Sequence, residues 1–241
     1  MTQILNIRLK FKQTVAKGLF NSLFKQHCLL CAADAGGEQG ICVGCYKDLP
    51  WHTNPKCPQC GLSSNGLVCG NCLNSPPDFD ATRSLFTYDF PLDAMIQRYK
   101  YGNMLNLGHI FGTMLSNKTN LADVDLVIPM PMHPTRLKER GFNQALEIAK
   151  VITKNYPEKL DYSSALRQKY TPPQASLPLK ERVKNIKGAF KVTSNLMGKR
   201  ITIIDDVMTT GASLNELAKT LKQAGASHVE CWVIARTLPH K

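Results

Sequence analysis

Two adjacent carboxylates followed by a turn of small polar residues are the strongest chemical signal in this sequence. Residues 201–204 are apolar or β-branched, Asp205 and Asp206 follow directly, and the turn then reads Val-Met-Thr-Thr-Gly-Ala-Ser. Apolar residues recur at helical spacing in 214–221. The pattern predicts a buried strand, a loop and a helix, with both acids where the strand meets the loop.

Such an arrangement can bind a phosphorylated sugar. A loop at the N-terminus of a helix offers backbone N–H groups, hydroxyls and the positive end of the helix dipole to an anion. Two carboxylates beside it can accept hydrogen bonds from vicinal hydroxyls or help to hold a metal ion. Phosphate, diol and metal together describe a ribose 5-phosphate. The alternative is structural, since acids and Thr-Gly also favour turns for their geometry alone.

The whole string resembles the phosphoribosyl-pyrophosphate (PRPP) signature of the type I phosphoribosyltransferases. That signature is four apolar or β-branched residues, two acids, two apolar residues and Thr-Thr-Gly-x-Ser/Thr, and every position matches. The resemblance implies that Asp205 and Asp206 are the catalytic acids, which take the ribose 2- and 3-hydroxyls. The PRPP-binding residues that it implies in this stretch are Asp205, Asp206, Val207, Met208, Thr209, Thr210, Gly211, Ala212 and Ser213.

Length, composition and charge set the class of protein. The chain has 241 residues, 43% of them hydrophobic, and a net charge of +12. Residues 81–241 carry +10 of this net charge, and the resulting positive electrostatic field attracts nucleic acid, an anionic membrane or a phosphorylated small molecule. No apolar run approaches the ~18 residues of a transmembrane helix, and the N-terminus lacks the pattern of a secretory signal. We therefore expect a cytoplasmic protein.

Eight of the nine cysteines fall in four C-x-x-C pairs within residues 28–72. Each pair supplies two corners of a tetrahedral zinc site, so the eight thiolates predict two zinc ions; iron–sulfur clusters usually have other spacings. Sequential pairing would give two ribbons and alternate pairing a cross-brace, and the sequence leaves both open. The predicted ligands are Cys28, Cys31, Cys42, Cys45, Cys57, Cys60, Cys69 and Cys72.

The zinc module is expected to lie between two other segments. Residues 1–27 carry five basic residues and no acid, and their apolar spacing predicts a basic helix that packs on the module or touches a membrane or partner. Ser-Pro-Pro at 75–77 predicts a linker, so the module is assigned residues 28–80 and the last domain residues 81–241. The module itself is either structural or in contact with nucleic acid.

The last domain opens with a predicted strand at 84–88 and helices at 92–99 and 105–115. Lys100 lies between two tyrosines, an arrangement that can stack on bases or merely cover the end of a helix. A short strand at 125–128 then leads into a loop that contains three prolines and three basic residues. A rigid, cationic loop beyond the carboxyl end of a strand is where α/β sheets bind anions, although solvated surface charge is the simpler explanation.

Residues 129–144 have the pattern Pro-x-Pro-x-x-x-x-Arg-x-x-x-Arg-Gly-Phe-Asn-Gln, which resembles a motif of the ComF family. These competence-associated proteins join a Cys-rich zinc module to a phosphoribosyltransferase-like domain. Residues 167–190 are similar to the family's Arg…Thr…Gln…Leu…Glu-Arg…Asn…Gly-x-Phe pattern. The resemblance implies a type I phosphoribosyltransferase fold, an α/β fold with a mostly parallel twisted sheet and flanking helices.

The resemblance also implies ligands, partners and residue roles. The backbone of Met130, Pro131 and Met132, with Arg136 and Arg140, would face pyrophosphate, and Mg²⁺ would bridge pyrophosphate and ribose oxygens. A loop at 171–178 would close over PRPP. Incoming single-stranded DNA would be handled during natural transformation, with a DNA-uptake helicase or recombination proteins as partners. The DNA-binding residues would be Arg136, Lys138, Arg140, Arg167, Lys169, Lys180, Arg182 and Lys184.

No stretch corresponds to the hood with which base-using transferases recognise a nucleobase, so purine or pyrimidine salvage is poorly supported. Three hypotheses remain. The protein handles DNA and retains a PRPP site; or it is an active phosphoribosyltransferase with a structural zinc module and an unknown acceptor; or it is a zinc-dependent adaptor with an inactive pocket.

Overall fold

The computed structural model describes residues 27–34, 36, 40–102, 104–170 and 185–239. Most of the predicted basic helix of residues 1–27, the loop 171–178 and the cations Lys180, Arg182 and Lys184 therefore lie outside the described residues. The chain divides into two compact units, Met1–Leu49 and Pro50–Lys241. The domain boundaries expected at residues 27 and 80 stay predictions.

The first unit contains the short helix α1 (Val43–Lys47). The described elements of the second unit are, in order, α2 (Gly70–Asn74), β1 (Ala81–Thr87), α3 (Leu92–Tyr101), α4 (Asn106–Ser116), β2 (Leu126–Pro129), α5 (Pro134–Arg140), α6 (Gln144–Ile152), a 3₁₀ turn (Pro157–Lys159), β3 (Ala165–Arg167), β4 (Phe190–Val192), β5 (Arg200–Met208), α7 (Ala212–Gln223) and β6 (His228–Arg236).

A four-stranded parallel sheet in the order β1-β6-β5-β2 forms the centre of the second unit. Residues 201–204 of β5 are all buried, which explains why this strand is a continuous apolar run instead of an alternating one. Pro129 at the end of β2 lies beside Ile204 of β5. The segments that follow β2 and β5 therefore leave the sheet at the same edge.

Helices cover the sheet with the apolar faces that the sequence predicts. Leu214, Leu217 and Leu221 of α7 are buried in one cluster with β5 and β6 side chains such as Ile203 and Val233. Helix α4 packs against α6, and a Cβ added at Gly112 would lie 2.6 Å from the Cβ of Val151. The helices α4 and α6 can therefore pack this closely only because Gly112 has no side chain.

The strands β3 and β4 pair antiparallel in a separate ribbon. Among the described residues, no helix is both long enough and apolar enough to cross a membrane.

Candidate functional site: an acid pair and a cationic helix at the carboxyl edge of the sheet

The acid pair lies near the carboxyl end of β5. Asp205 is half-buried and lies in register with Val233 of β6, while Asp206 is only 7% exposed. The backbone N–H of Asp206 donates to Asp205 Oδ1 at 2.9 Å. Burial and the neighbouring carboxylate of Asp206 raise the pKa of Asp205 to about 7, although Lys100 and other donors act in the opposite direction. Any further cation or hydroxyl donor near Asp205 would favour its carboxylate form.

Lys100 is a residue of this candidate site that the sequence did not assign to it. Its Nζ lies 2.9 Å from Oδ1 of Asp206, and the side chains are only 21% and 9% exposed. Burial alone would lower the pKa of Lys100, but attraction to Asp206 outweighs it and raises the pKa. The sequence signal was the lysine between two tyrosines, for which base stacking and covering of a helix end were considered. The structure turns this lysine towards the acid pair.

Tyr99 positions the end of α3 that carries Lys100. Its ring is fully buried and its hydroxyl donates to the backbone oxygen of Gln144 at 2.9 Å. The ring packs edge-on against Phe111 and also contacts Phe142. A Cβ at Gly108 would lie 2.5 Å from the tyrosine hydroxyl, so the close approach of α4 depends on glycine there.

The turn after β5 has the form expected of an anion-binding loop. Gly211 has φ +82°, and a Cβ there would lie 2.8 Å from Cε of Met208. The hydroxyl oxygen of Thr210 accepts from the N–H of Ala212 at 3.2 Å. Gly211, the N-cap residue of α7, makes no side-chain hydrogen bond, so N–H groups of the first turn other than that of Ala212 can donate to a phosphate.

The basic residues after β2 lie on a helix, and the prediction that they lie in a rigid loop was wrong. Only residues 130–133 are non-helical before α5 begins at Pro134. His133 Nδ1 accepts from the N–H of Thr135 at 3.2 Å, and proline at the first helical position has φ already suited to a helix. Gly141, with φ 80°, then ends α5.

The Arg-Gly-Phe-Asn-Gln sequence fixes the cationic end of α5. Arg140 donates from Nη1 to Oε1 of Gln144 at 2.8 Å and lies over the ring of Tyr101 at 5.2 Å. Asn143 caps α6 by accepting from the N–H of Ala145 at 3.0 Å, and its amide donates to the oxygen of Met130 at 3.1 Å. One asparagine thus joins the start of α6 to the loop after β2.

These elements enclose a cavity of about 190 Å³. The cavity is lined by both acids of the pair, Ser213 of α7, the loop after β2, Lys100 and the three arginines that were predicted from the sequence. The lining residues are Lys100, Met130, Pro131, Met132, Arg136, Arg140, Asn143, Gln144, Ala145, Arg167, Asp205, Asp206 and Ser213. Thr210, Gly211 and Ala212 line a neighbouring cleft instead.

Two further predicted DNA-binding residues that the structure describes, Lys138 and Lys169, lie outside this cavity's lining. Lys138 is exposed on α5, and Lys169 is exposed with its Nζ 2.7 Å from the oxygen of Lys187. The rings of His133 and Tyr170 meet edge to face with their centroids 5.4 Å apart. The described surface near the cavity therefore carries both cations and exposed aromatic rings.

The cysteines form two sequential groups of four, which decides between the two pairings left open above. The groups are Cys28, Cys31, Cys42 and Cys45, and Cys57, Cys60, Cys69 and Cys72, each with its sulfur atoms within 4.8 Å of one another. The pairs Cys31–Cys42 and Cys60–Cys69 have Sγ–Sγ distances of 3.7 Å. Four sulfurs about 2.3 Å from one zinc ion in a tetrahedron would be about 3.8 Å apart, so the donor set fits zinc.

Backbone donors support the thiolate state in both groups. The N–H of Cys42 donates to Cys28 Sγ and that of Cys69 to Cys57 Sγ, each at 3.3 Å. Burial would raise the pKa of both acceptors, but hydrogen bonds from several backbone N–H groups and a neighbouring cysteine outweigh it and lower the pKa of Cys28 to about 6 and of Cys57 to about 7. A thiolate is the form that binds metal.

Comparison with known proteins gives matches over nearly the whole chain. Family models match a double zinc ribbon domain at residues 19–73 and a phosphoribosyl transferase domain at residues 139–239. Competence protein F of Haemophilus influenzae is 29% identical over 230 residues, 89% of this chain and 99% of its own. DNA utilization protein YhgH of Escherichia coli (strain K12) is 30% identical over 221 residues, 88% and 97% of the two chains. Competence protein ComFC of Streptococcus pneumoniae is 25% identical over 198 residues, 81% and 87% of the two chains.

Solved structures also resemble parts of the chain. The PRPP amidotransferase of B. subtilis has 15% identity and a TM-score of 0.40, covering 57% of this chain and 30% of its own. A purine phosphoribosyltransferase of Pyrococcus horikoshii has 17% identity and a TM-score of 0.35, covering 54% and 86%. The transferase-domain match and the parallel sheet with its helices confirm the predicted type I phosphoribosyltransferase-like fold, preceded by a module with two Cys₄ zinc sites.

Proposed function

The chain belongs to the ComF family, with competence protein F, ComFC and YhgH, and we propose that it handles incoming single-stranded DNA in the cytoplasm during natural transformation. We further propose that its transferase-like domain binds PRPP with Mg²⁺. The names of the relatives support the competence role. The cavity at the carboxyl edge of the sheet supports the ligand.

A single observation carries the PRPP proposal: the acid pair of β5, Ser213 of α7 and two arginines of α5 line the same cavity. These elements come from distant parts of the sequence and supply separate chemistries. Asp205 and Asp206 accept hydrogen bonds from the ribose hydroxyls, the N-terminal end of α7 takes the 5-phosphate, and Arg136 and Arg140 attract the pyrophosphate.

The carboxylates also fit Mg²⁺, which prefers oxygen ligands and keeps several waters at phosphate sites. Asp206 is engaged by Lys100, so Asp205 is the better candidate to hold the ion, whose positive charge would keep it ionised. Bound magnesium would neutralise pyrophosphate charge. The protein's own part is to orient ribose and pyrophosphate, while Lys100 holds Asp206 in place.

Calorimetric titration with PRPP, with and without Mg²⁺, tests the pocket. We expect magnesium-dependent binding that is lost in Asp205→Asn/Asp206→Asn. Asp123→Asn is the matched control, because Asp123 is exposed and outside the lining of this cavity. Retention of full affinity by the double variant would refute the assignment.

The cations around the cavity support the DNA role. Lys138 and Lys169 are exposed and Arg136 is half-buried, so a phosphodiester backbone can approach them. Exposed Tyr101 and Tyr170 offer rings for base stacking. Binding of a labelled oligothymidylate, followed by fluorescence anisotropy over a range of salt concentrations, should weaken steeply as salt rises.

The matched DNA experiment compares Lys138→Ala/Lys169→Ala with Lys154→Ala, which removes an exposed cation beyond the far end of α6. Each lost phosphate contact should reduce the slope of log K against log salt by about 0.7 for a single strand. The double variant should thus lose about 1.4 of slope. A slope equal to that of the wild type would place the DNA elsewhere.

An active phosphoribosyltransferase is the second candidate, favoured by the raised pKa of Asp205, since perturbed acids cluster at catalytic sites. In that reaction a nucleophile would attack C1 of ribose as pyrophosphate leaves. Binding would then supply positioning, and the arginines would stabilise the departing charge. Release of pyrophosphate with a panel of nitrogen acceptors tests this candidate.

A further inference from the structure

The second zinc knuckle is joined to the sheet by three successive backbone carbonyls. The oxygen of Pro58 accepts from the N–H of Thr82 at 2.9 Å. The oxygen of Gln59 accepts from the hydroxyl of Thr82 at 2.6 Å, and that of Cys60 accepts from Nε of Arg236 at 2.9 Å. The loop between two zinc ligands is thus attached to both β1 and β6.

Arg236 joins this knuckle to the anion-binding loop. The side chain is buried, with 3% exposure, at the end of β6. While Nε binds Cys60, Nη1 donates to the backbone oxygens of Met208 and Thr237, each at 3.0 Å, and to that of Thr209. Met208 and Thr209 are the residues where β5 passes into the loop. One guanidinium therefore holds the zinc knuckle and the start of the loop together.

Zinc bound to the second group would constrain the backbone of this knuckle. Cys57 and Cys60 belong to the second group, and Gly61 turns the chain back with φ +69° and donates its N–H to the oxygen of Cys57 at 2.9 Å. A Cβ at Gly61 would lie 3.2 Å from Thr82 Cγ2, so the knuckle lies close against β1. Without zinc the four thiolates would lose the metal ion that they share, and the knuckle would lose the main constraint on its backbone geometry.

Charge strengthens the same link. Four thiolates around one Zn²⁺ carry a net charge of about −2. A buried guanidinium is costly without a counter-charge, and an anionic zinc site beside Arg236 would offset this cost. Loss of zinc would therefore free the carbonyl of Cys60 that Arg236 binds.

We propose that Arg236 is a positioning residue through which zinc in the second ribbon holds the loop after β5 in the conformation that receives a 5-phosphate. The ligand in this statement rests on the proposed function, whereas the positioning of the loop does not. Because binding free energies are reciprocal, a ribose phosphate that binds this loop must also raise the affinity of the second ribbon for zinc.

Hydrogen exchange of the full-length protein without ligand tests the positioning alone. Cys69→Ser removes a ligand of the second zinc, and Cys31→Ser removes one from the first as the matched control. We expect amide exchange in residues 208–211 to rise at least tenfold in Cys69→Ser and to stay at the wild-type rate in Cys31→Ser. Protection at 201–204 should persist in both, which excludes global unfolding. Wild-type protection of the loop in Cys69→Ser after loss of one zinc would overturn the proposal.

Equilibrium zinc release from the wild-type protein tests the link to the ligand. Titration with a chelating dye should remove zinc in two steps, which the two cysteine variants assign to the two ribbons. Saturating Mg²⁺-PRPP should raise the zinc affinity of the second ribbon at least fivefold and leave that of the first unchanged. PRPP binding by calorimetry with no such rise would overturn the proposal. Absence of PRPP binding, with the exchange result intact, would instead refute the proposed function and leave the positioning role standing.

Arg236→Lys completes the test, since lysine keeps the charge, but its single nitrogen cannot replace the two guanidinium nitrogens that bind the oxygens of Cys60 and Met208 separately. We expect two zinc ions per chain, raised exchange in residues 208–211 and at least tenfold weaker PRPP binding. Wild-type exchange and affinity in this variant would show that the guanidinium is dispensable. If the variant does not fold, the zinc-release measurement decides.

Discussion

Breaking the ion pair between Lys100 and Asp206 should cost far more stability than breaking an exposed pair of the same length. Their N–O distance is 2.9 Å and the side chains are 21% and 9% exposed. With an effective dielectric constant of about 20, Coulomb attraction at this distance is roughly 6 kcal/mol. Desolvation and the solvent contact of Lys100 offset part of this, so we expect a coupling free energy of about 2–3 kcal/mol.

A double-mutant cycle measures this coupling. Lys100→Met, Asp206→Asn and the double variant are unfolded with urea in the presence of zinc. The two tryptophans, Trp51 and Trp232, report on the second unit because both lie in it. Lys100→Met alone should lose about 3 kcal/mol, because Asp206 is left buried without its cation. The double variant should recover most of that loss.

The chain supplies a matched control in Lys150 and Glu147 of α6. Their N–O distance is 2.8 Å, but the side chains are 51% and 34% exposed. The same cycle there should give no more than about 0.5 kcal/mol. If the coupling of Lys100 with Asp206 is no larger than that of the control pair, burial does not strengthen the pair and the argument is refuted.

Three other predictions concern charge, packing and metal. In the folded protein the pKa of Asp205 is raised to about 7, so ionisation of Asp205 lowers the free energy of unfolding as pH rises from about 4 to 7. In urea unfolding without ligand, Asp205→Asn should therefore raise the free energy of unfolding by about 2 kcal/mol at pH 8, a value reduced for half-burial, and leave it unchanged near pH 4. Gly112→Ala should lose about 1–3 kcal/mol, partly restored by Val151→Ala, since a Cβ would lie 2.6 Å from that of Val151. Elemental analysis should find two zinc ions per chain and one in Cys31→Ser or Cys72→Ser.

Each of these has a clear contrary result. An equal gain of Asp205→Asn at pH 4 and pH 8 would show that ionisation is not its cause. A fully stable Gly112→Ala would mean that α4 and α6 separate without cost. Loss of both zinc ions in Cys31→Ser/Cys42→Ser, which removes two ligands of one group, would exclude the pairing described here.

Local sequence patterns were sufficient to predict the strand, loop and helix around Asp205. The strand is a continuous apolar run because it is buried on both faces, and the small residues of the loop form a recognisable sequence motif. The spacing of the cysteines likewise predicted two zinc sites. In each case the signal lies within a few residues of the chemistry.

Contacts between distant segments could not be predicted in this way. Lys100 precedes Asp206 by more than a hundred residues, and its neighbouring tyrosines suggested stacking instead of an ion pair. The pairing of β3 with β4 depends on a similar meeting of separate segments. The helix α5 was missed for another reason: three prolines suggested an extended loop, yet the third one occupies the first helical position, where proline is tolerated.

The strand order β1-β6-β5-β2 has a consequence for synthesis of the protein on the ribosome. Both outer strands precede both inner strands along the chain, so neither β1 nor β2 has a partner in this sheet while the nascent chain is still short of β5. Until then their apolar edges are open to other chains or to chaperones. Parallel pairing over such long separations also makes folding slow. A stall or truncation before β5 would therefore release a chain with no strand pair of the central sheet.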